Sequence, residues 1–165
     1  MSNDIKLTAQ DQTIGYKGNV TLKLIRNGKV YKEVSEHNSG TVAFFRLMAL
    51  SIAGDTSAVS EMPNYICLFN ATSSTDTSPK AVLISANLPS ISRTPTNNGS
   101  SGYKVIFSFL IPYTLISSGA IINRLRLYGS TNRDNYLAEL HLSTPLSVSS
   151  GSNLLIDWEM VINNA

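Results

Sequence analysis

From Asn153 to Asn163 the chain reads NLLIDWEMVIN, with Leu154, Ile156, Trp158, Met160 and Ile162 on one side. Leu155, Asp157, Glu159 and Val161 fall on the other. Alternation with a period of two marks a strand with one buried and one wet face. Applied along the whole sequence, the same rule gives about seven or eight strands and a single helix. Parallel α/β folds need a helix between most strands, so the expected fold is mainly β. It is an antiparallel β-sandwich, jelly-roll or Greek-key like, with one buried helix at about 41–53.

The first element is a hairpin. Val20–Arg26 and Lys29–Ser35 flank Asn27-Gly28, the strongest short-range signal for a two-residue type I′ turn. A plain two-residue loop sets Ile25 opposite Val30, Leu24 opposite Tyr31 and Lys23 opposite Lys32. The last is an unfavourable like-charge pair, so that face is expected to be wet. The helix spans Thr41–Ala53, with Ser39 or Thr41 as N-cap and Gly54 just past its end. Val42, Phe44, Phe45, Leu47, Met48, Leu50 and Ile52 cover most of its circumference. It is therefore expected to be buried on most sides, plugging one end of the sandwich or lying under a partner subunit.

Tyr65–Phe69 follows as a short buried strand. Asn70–Lys80 is a polar connection, and Ala81–Asn87 a short strand or turn. Ser90–Thr96, framed by Pro89 and Pro95, reads as an edge strand. Tyr103–Ile111 is a central strand with Val105, Phe107, Phe109 and Ile111 on its main apolar face. In Ile121–Tyr128, Asn123, Leu125 and Leu127 alternate with Ile122, Arg124, Arg126 and Tyr128. Gly129–Asn135 turns into Tyr136–Leu142. Met1–Gly18 is polar and reads as an N-terminal arm ahead of one domain at 19–165.

Charged residues make up only 15% of the 165 residues, below the usual quarter. Ser, Thr and Asn fill the gap, a composition that suits extracellular, viral or adhesive β-proteins. The net charge of +2 and 13 scattered basic residues argue against nucleic acid as a partner. The start MSNDIKLTAQDQ lacks the apolar core of a signal peptide. Thr41–Ala53, the longest apolar stretch, is broken by Arg46 and Ser51 and too short for a membrane span. The single cysteine, Cys67, is expected to be a small buried hydrophobe.

Few residues suggest chemistry. His37 and His141 are the only histidines. Glu139 beside His141 could orient a general base. If Leu125 pairs with Leu140, however, Arg126 faces Glu139 and Arg124 faces His141. That is a cross-strand charge ladder on a wet face, contributing a few tenths of a kcal/mol per pair. Asp157 and Glu159 share a strand face, and paired carboxylates hydrolyse glycosides when they flank a cleft. Solvating the outer sheet or pairing with basic residues is the simpler reading. Asp55, Asp76 and Asp134 are isolated rather than spaced as a cation loop. Trp158, on the apolar face, is expected in the core beside Tyr103–Ile111. Tyr103, Tyr113 and Tyr128 are freer to meet a sugar. The expectation is no catalytic, cofactor-binding or metal-binding residues.

The order of segments also carries a resemblance. HNSGT (His37–Thr41) runs into the helix FFRLMALSIAG, followed by PNYICL (Pro63–Leu68). Then come INRLRLYG (Ile122–Gly129), YLAELHLS (Tyr136–Ser143) and LLIDWEMVI (Leu154–Ile162). This succession, spanning most of residues 18–163, resembles small structural proteins of tailed bacteriophages. Where those carry an acidic residue before the Leu-x-Leu-Tyr segment, this chain has Asn123-Arg124. The resemblance implies a non-enzymatic virion component of the head decoration, head–tail junction, tail or baseplate. Its partners would be other virion proteins and copies of itself, with the N-terminal arm part of the contact. A receptor- or glycan-binding β-sandwich, meeting a host-surface glycan, is the alternative.

Overall fold

The computed structural model describes residues 14–57, 62–70, 81–84, 92–97, 102–116, 119–129 and 136–164. Within them lie nine strands and one α-helix. The strands are β1 (Ile14–Arg26), β2 (Lys29–Gly40), β3 (Tyr65–Phe69), β4 (Ala81–Ile84), β5 (Ser92–Asn97), β6 (Gly102–Ile111), β7 (Ile121–Tyr128), β8 (Tyr136–Ser147) and β9 (Asn153–Asn164); helix α1 (Val42–Ile52) separates β2 from β3. One antiparallel sheet, sheet A, has the order β2-β1-β9-β6-β5, and the other, sheet B, the order β4-β3-β7-β8. The end of β2 joins them, because Ser39 and Gly40 leave β1 and pair with Glu139 and Ala138 of β8.

The inner faces of the two sheets share one core. Val20, Leu22 and Leu24 of β1, Phe107 and Phe109 of β6, and Leu154, Ile156, Trp158 and Met160 of β9 pack there with Ile66, Leu68, Leu125, Leu127, Ala138 and Leu140 of sheet B. Trp158 is fully buried between its register partners Val20 and Phe107, as its place in the alternation requires. The fold is thus an antiparallel β-sandwich. β4 and β5 are its outermost described strands, and Pro95, which lacks a ladder donor, sits in one of them.

Four local readings need correction. Asn27 and Gly28 both have positive φ, 51° and 74°, as a type I′ turn demands. Beyond Ile25–Val30, however, the register slips by one, so Leu24 faces Lys32 and Lys23 faces Glu33. Tyr31 is the extra residue, and the bulge replaces the like-charge pair with an opposite one.

Within this one chain the helix is not buried on most sides. It is capped by Thr41, whose hydroxyl accepts from the Phe44 amide, and Gly54 has φ +69°. It lies against β8 and the end of β2, so Phe44 and Leu47 are buried while Phe45 is 51% exposed. A single supporting layer can cover only one side of a helix.

Ile122 joins the core rather than the face of Arg124, because the β7–β8 register breaks between Ile122 and Arg124. The break takes up Pro145, which has no amide proton to donate. Finally, β1 begins at Ile14 and pairs from there to Gly18 with Asn164–Met160. Residues 14–18 therefore extend the sheet rather than the arm. Residues 1–13, the connections at 71–80 and 130–135, and Asp76 and Asp134 lie outside the described residues.

Candidate functional site

Asn19, Thr21 and Lys23 of β1 and Asp157 and Glu159 of β9 point away from the core and build the outer face of sheet A. Register places Ser35, Thr21, Asp157 and Ser108 in one row across β2, β1, β9 and β6. His37, Asn19, Glu159 and Ile106 form the next. Together with Glu36 these residues line a cavity of about 670 Å³.

Its polar groups hold one another. The His37 Nδ1–H donates to Asn19 Oδ1 at 2.7 Å, and Asn19 Nδ2 donates to Glu159 Oε1 at 3.1 Å. Lys104 Nζ reaches Glu159 Oε2 at 3.2 Å, which completes a chain over four strands. Asp157 accepts from Ser108 Oγ at 2.7 Å and from Lys23 Nζ at 3.4 Å. Thr21 and Ser35 hydroxyls lie 3.1 Å apart. The pairing of Asp157 and Glu159 with basic residues is as the sequence led us to expect. His37, by contrast, was only noted in the sequence. The Tyr31 bulge brings it opposite Asn19; a plain two-residue hairpin would set it opposite Gly18. In this groove the Ser108 hydroxyl donates to Asp157, the Ser35 hydroxyl meets Thr21 and the His37 imidazole donates to Asn19, so His37 is not bonded to either serine. Among the described residues no group of three His, Cys, Asp or Glu could hold a metal.

The outer face of sheet B differs. Arg126 pairs with Glu139, Arg124 with His141 and Leu125 with Leu140, the register read from the sequence. The face is not wet, though. Arg124 and Arg126 are 1% and 8% exposed as residues, and Cys67, Phe69 and Tyr128 are buried beside them. The Arg124 guanidinium lies 4.7 Å from the Phe69 ring centroid, and that of Arg126 lies 4.2 Å from Tyr136. Arg126 Nε donates to Glu139 Oε1 at 2.8 Å, with Arg124 Nε 3.7 Å from the same oxygen and His141 Nε2 3.4 Å from Oε2. Burial raises the Glu139 pKa, but the hydrogen bond and charge of Arg126, aided by His141, outweigh it and hold the carboxyl below its ordinary range. Burial likewise opposes the charge on Arg126, and Glu139 more than restores it. Glu139 and His141 thus serve an arginine–aromatic stack.

A third feature lies where the β1–β2 turn, the end of β6, the start of β7 and the β8–β9 connection meet. Strand directions put all four at one end of the sandwich. Arg26 donates to Ser149 Oγ and Ser150 O, and the Tyr31 hydroxyl meets Ser149 and Ser152, both at 2.8 Å. The Tyr113 amide donates to Asn153 Oδ1 at 2.9 Å. On this stitched frame Val30, Tyr31, Leu110, Tyr113 and Ile121 are exposed. Among the described residues, Phe45 is the one large exposed apolar side chain located elsewhere.

Of the tyrosines considered for sugar contact, Tyr113 is exposed, Tyr128 is buried and the side chain of Tyr103 lies outside the described ones. Comparison of the chain with protein-family models, with characterised proteins and with solved structures gave no match.

Proposed function

We propose that the protein is a non-enzymatic structural subunit of a tailed-bacteriophage virion and works by assembling with copies of itself and with other virion proteins. The observation that carries this reading is the gathering of Val30, Tyr31, Leu110, Tyr113 and Ile121 at one end of the sandwich. Scattered exposed apolar residues are ordinary, whereas a cluster on a rigid frame marks a contact surface. Hydrogen bonds from Arg26 and Tyr31 to the β8–β9 connection and from Tyr113 to Asn153 at the start of β9 hold that frame, so little ordering is lost on contact. The resemblance of the succession of segments to small structural proteins of tailed bacteriophages suggests the setting. Residues 1–13, if extended, reach about 45 Å, far enough to add a strand to a neighbouring subunit.

The test is incorporation. Particles assembled with Tyr113→Asp and Ile121→Asp together should lack the subunit, although the isolated variant melts as the parent does. Normal incorporation of the folded variant, or absence of the parent protein from purified particles by mass spectrometry, would refute the reading.

A further inference from the structure

We propose that the groove on the outer face of sheet A binds a neutral saccharide through hydroxyls at opposite edges of one sugar ring. The site lies on the broad face of the sheet, not at the apolar end, and is independent of the assembly reading.

Size comes first. About 670 Å³ falls within the ~300–1,000 Å³ range of small-ligand sites. Charge narrows the ligand. Asp157 is paired with Lys23 and Glu159 with Lys104, and Glu36 accepts from the Ser143 amide and hydroxyl, so the groove offers an anion three carboxylates and a cation three already partnered ones. A phosphate-bearing nucleotide is disfavoured by the first and a metal ion by the second. An apolar peptide side chain finds only Ile106 among the lining residues. The occupant that fits is uncharged and dense in groups that both donate and accept.

Hydrogen-bond capacity points the same way. Each carboxylate oxygen has two acceptor positions. In Asp157, Oδ1 takes Ser108 and Oδ2 takes Lys23; in Glu159, Oε1 takes Asn19 and Oε2 takes Lys104. That leaves each of the four oxygens one further acceptor position. A hydroxyl that donates to the carboxylate and accepts from the neighbouring hydroxyl or ammonium completes both, and a second hydroxyl across the ring does so at the other carboxylate. Asp157 and Glu159 stand two residues apart on β9, roughly 6.7 Å along the strand, suiting hydroxyls at opposite edges of one ring. Ile106, beside Glu159 in register, offers an apolar rest for the ring's C–H face. Because Asn19, His37, Thr21 and Ser35 are already fixed by one another, the groove is organised before the ligand arrives.

The experiment is amide-resolved NMR of the full chain, titrated separately with methyl α-D-glucopyranoside, methyl α-D-mannopyranoside, methyl β-D-galactopyranoside and N-acetyl-D-glucosamine. Calcium chloride and sodium phosphate serve as competing chemistries. At least one glycoside should shift the amides of Asn19, Thr21, His37, Ser108 and Asp157 saturably. Asp157→Asn and Ser108→Ala should each weaken that binding about tenfold, as expected for a lost hydrogen bond to a charged group. Lys29→Ala, at the hairpin turn, should leave it unchanged. Should Asp157→Asn disturb the fold, seen as shifts outside sheet A, Ser108→Ala carries the same comparison. No response to any of the four glycosides, binding undiminished in the folded variants, or a response to calcium or phosphate alone would overturn the proposal.

Discussion

On the outer face of sheet A the side chains of Asp157 and Glu159 remain 26% and 25% exposed; on that of sheet B, Arg124 and Arg126 keep 1% and 10%. Both faces come from the same alternation, and both pair acids with bases across strands. They differ in what water can do. At Asp157 and Glu159 water competes with each lysine, and such pairs contribute about 0–1 kcal/mol. At Arg124 and Arg126 the guanidinium groups have left water and depend on Phe69, Tyr136 and Glu139. Removing one partner there leaves a buried charge without its counter-ion. An ion pair's register therefore says little about its weight; the layer above it decides.

Both faces stand on the shared core, so the largest expected effect comes from breaking that core. Trp158→Ala should cost about 3–5 kcal/mol, read by urea denaturation, and the native parent should emit well to the blue of indole in water. Next comes the comparison itself. Glu139→Ala should cost about 2–3 kcal/mol, below the ~3–5 kcal/mol of a fully buried pair because Glu139 is 19% exposed. Asp157→Ala should cost less than about 1 kcal/mol. Equal losses in the two variants would remove the distinction between the faces.

Gly28→Val tests the turn that precedes both. Its φ is +74° with nothing within 4 Å of a Cβ, so the expected loss of about 1–2 kcal/mol is purely conformational. An unchanged melting temperature would exclude the type I′ turn. The smallest effect is the most specific. Glu139 has a folded pKa below its ordinary value, so its contribution is complete above the unfolded glutamate pKa of about 4.3 and is lost as pH falls through the lower folded value. Stability measured from neutral to acid pH should fall in that window in the parent, and by less in Glu139→Gln. Equal slopes would show that Glu139 carries no such linkage.

The strands themselves were legible because period-two patterns name the residues that share a side. Trp158 in the core and Leu125 opposite Leu140 followed from it, and the Asn27-Gly28 dipeptide marked the turn. The groove was only half legible. Asp157 and Glu159 stood out as a pair, but their link to His37 depends on one extra residue, Tyr31, that no periodicity announces. The helix misled for a related reason: seven apolar positions describe a helix that could be surrounded, whereas among the described residues it rests on one layer, β8 and the end of β2. The sheet B ladder had the right partners and the wrong solvent, since pairing fixes neighbours within a sheet and is silent on what covers it.

Assembly through the apolar end is tested most directly by sedimentation equilibrium of the purified protein over a wide concentration range, alongside the Tyr113→Asp, Ile121→Asp double variant. The expected result is reversible, concentration-dependent association of the parent and a monomeric variant with an unchanged melting temperature. A parent that stays monomeric throughout, or a folded variant that associates equally well, would contradict it.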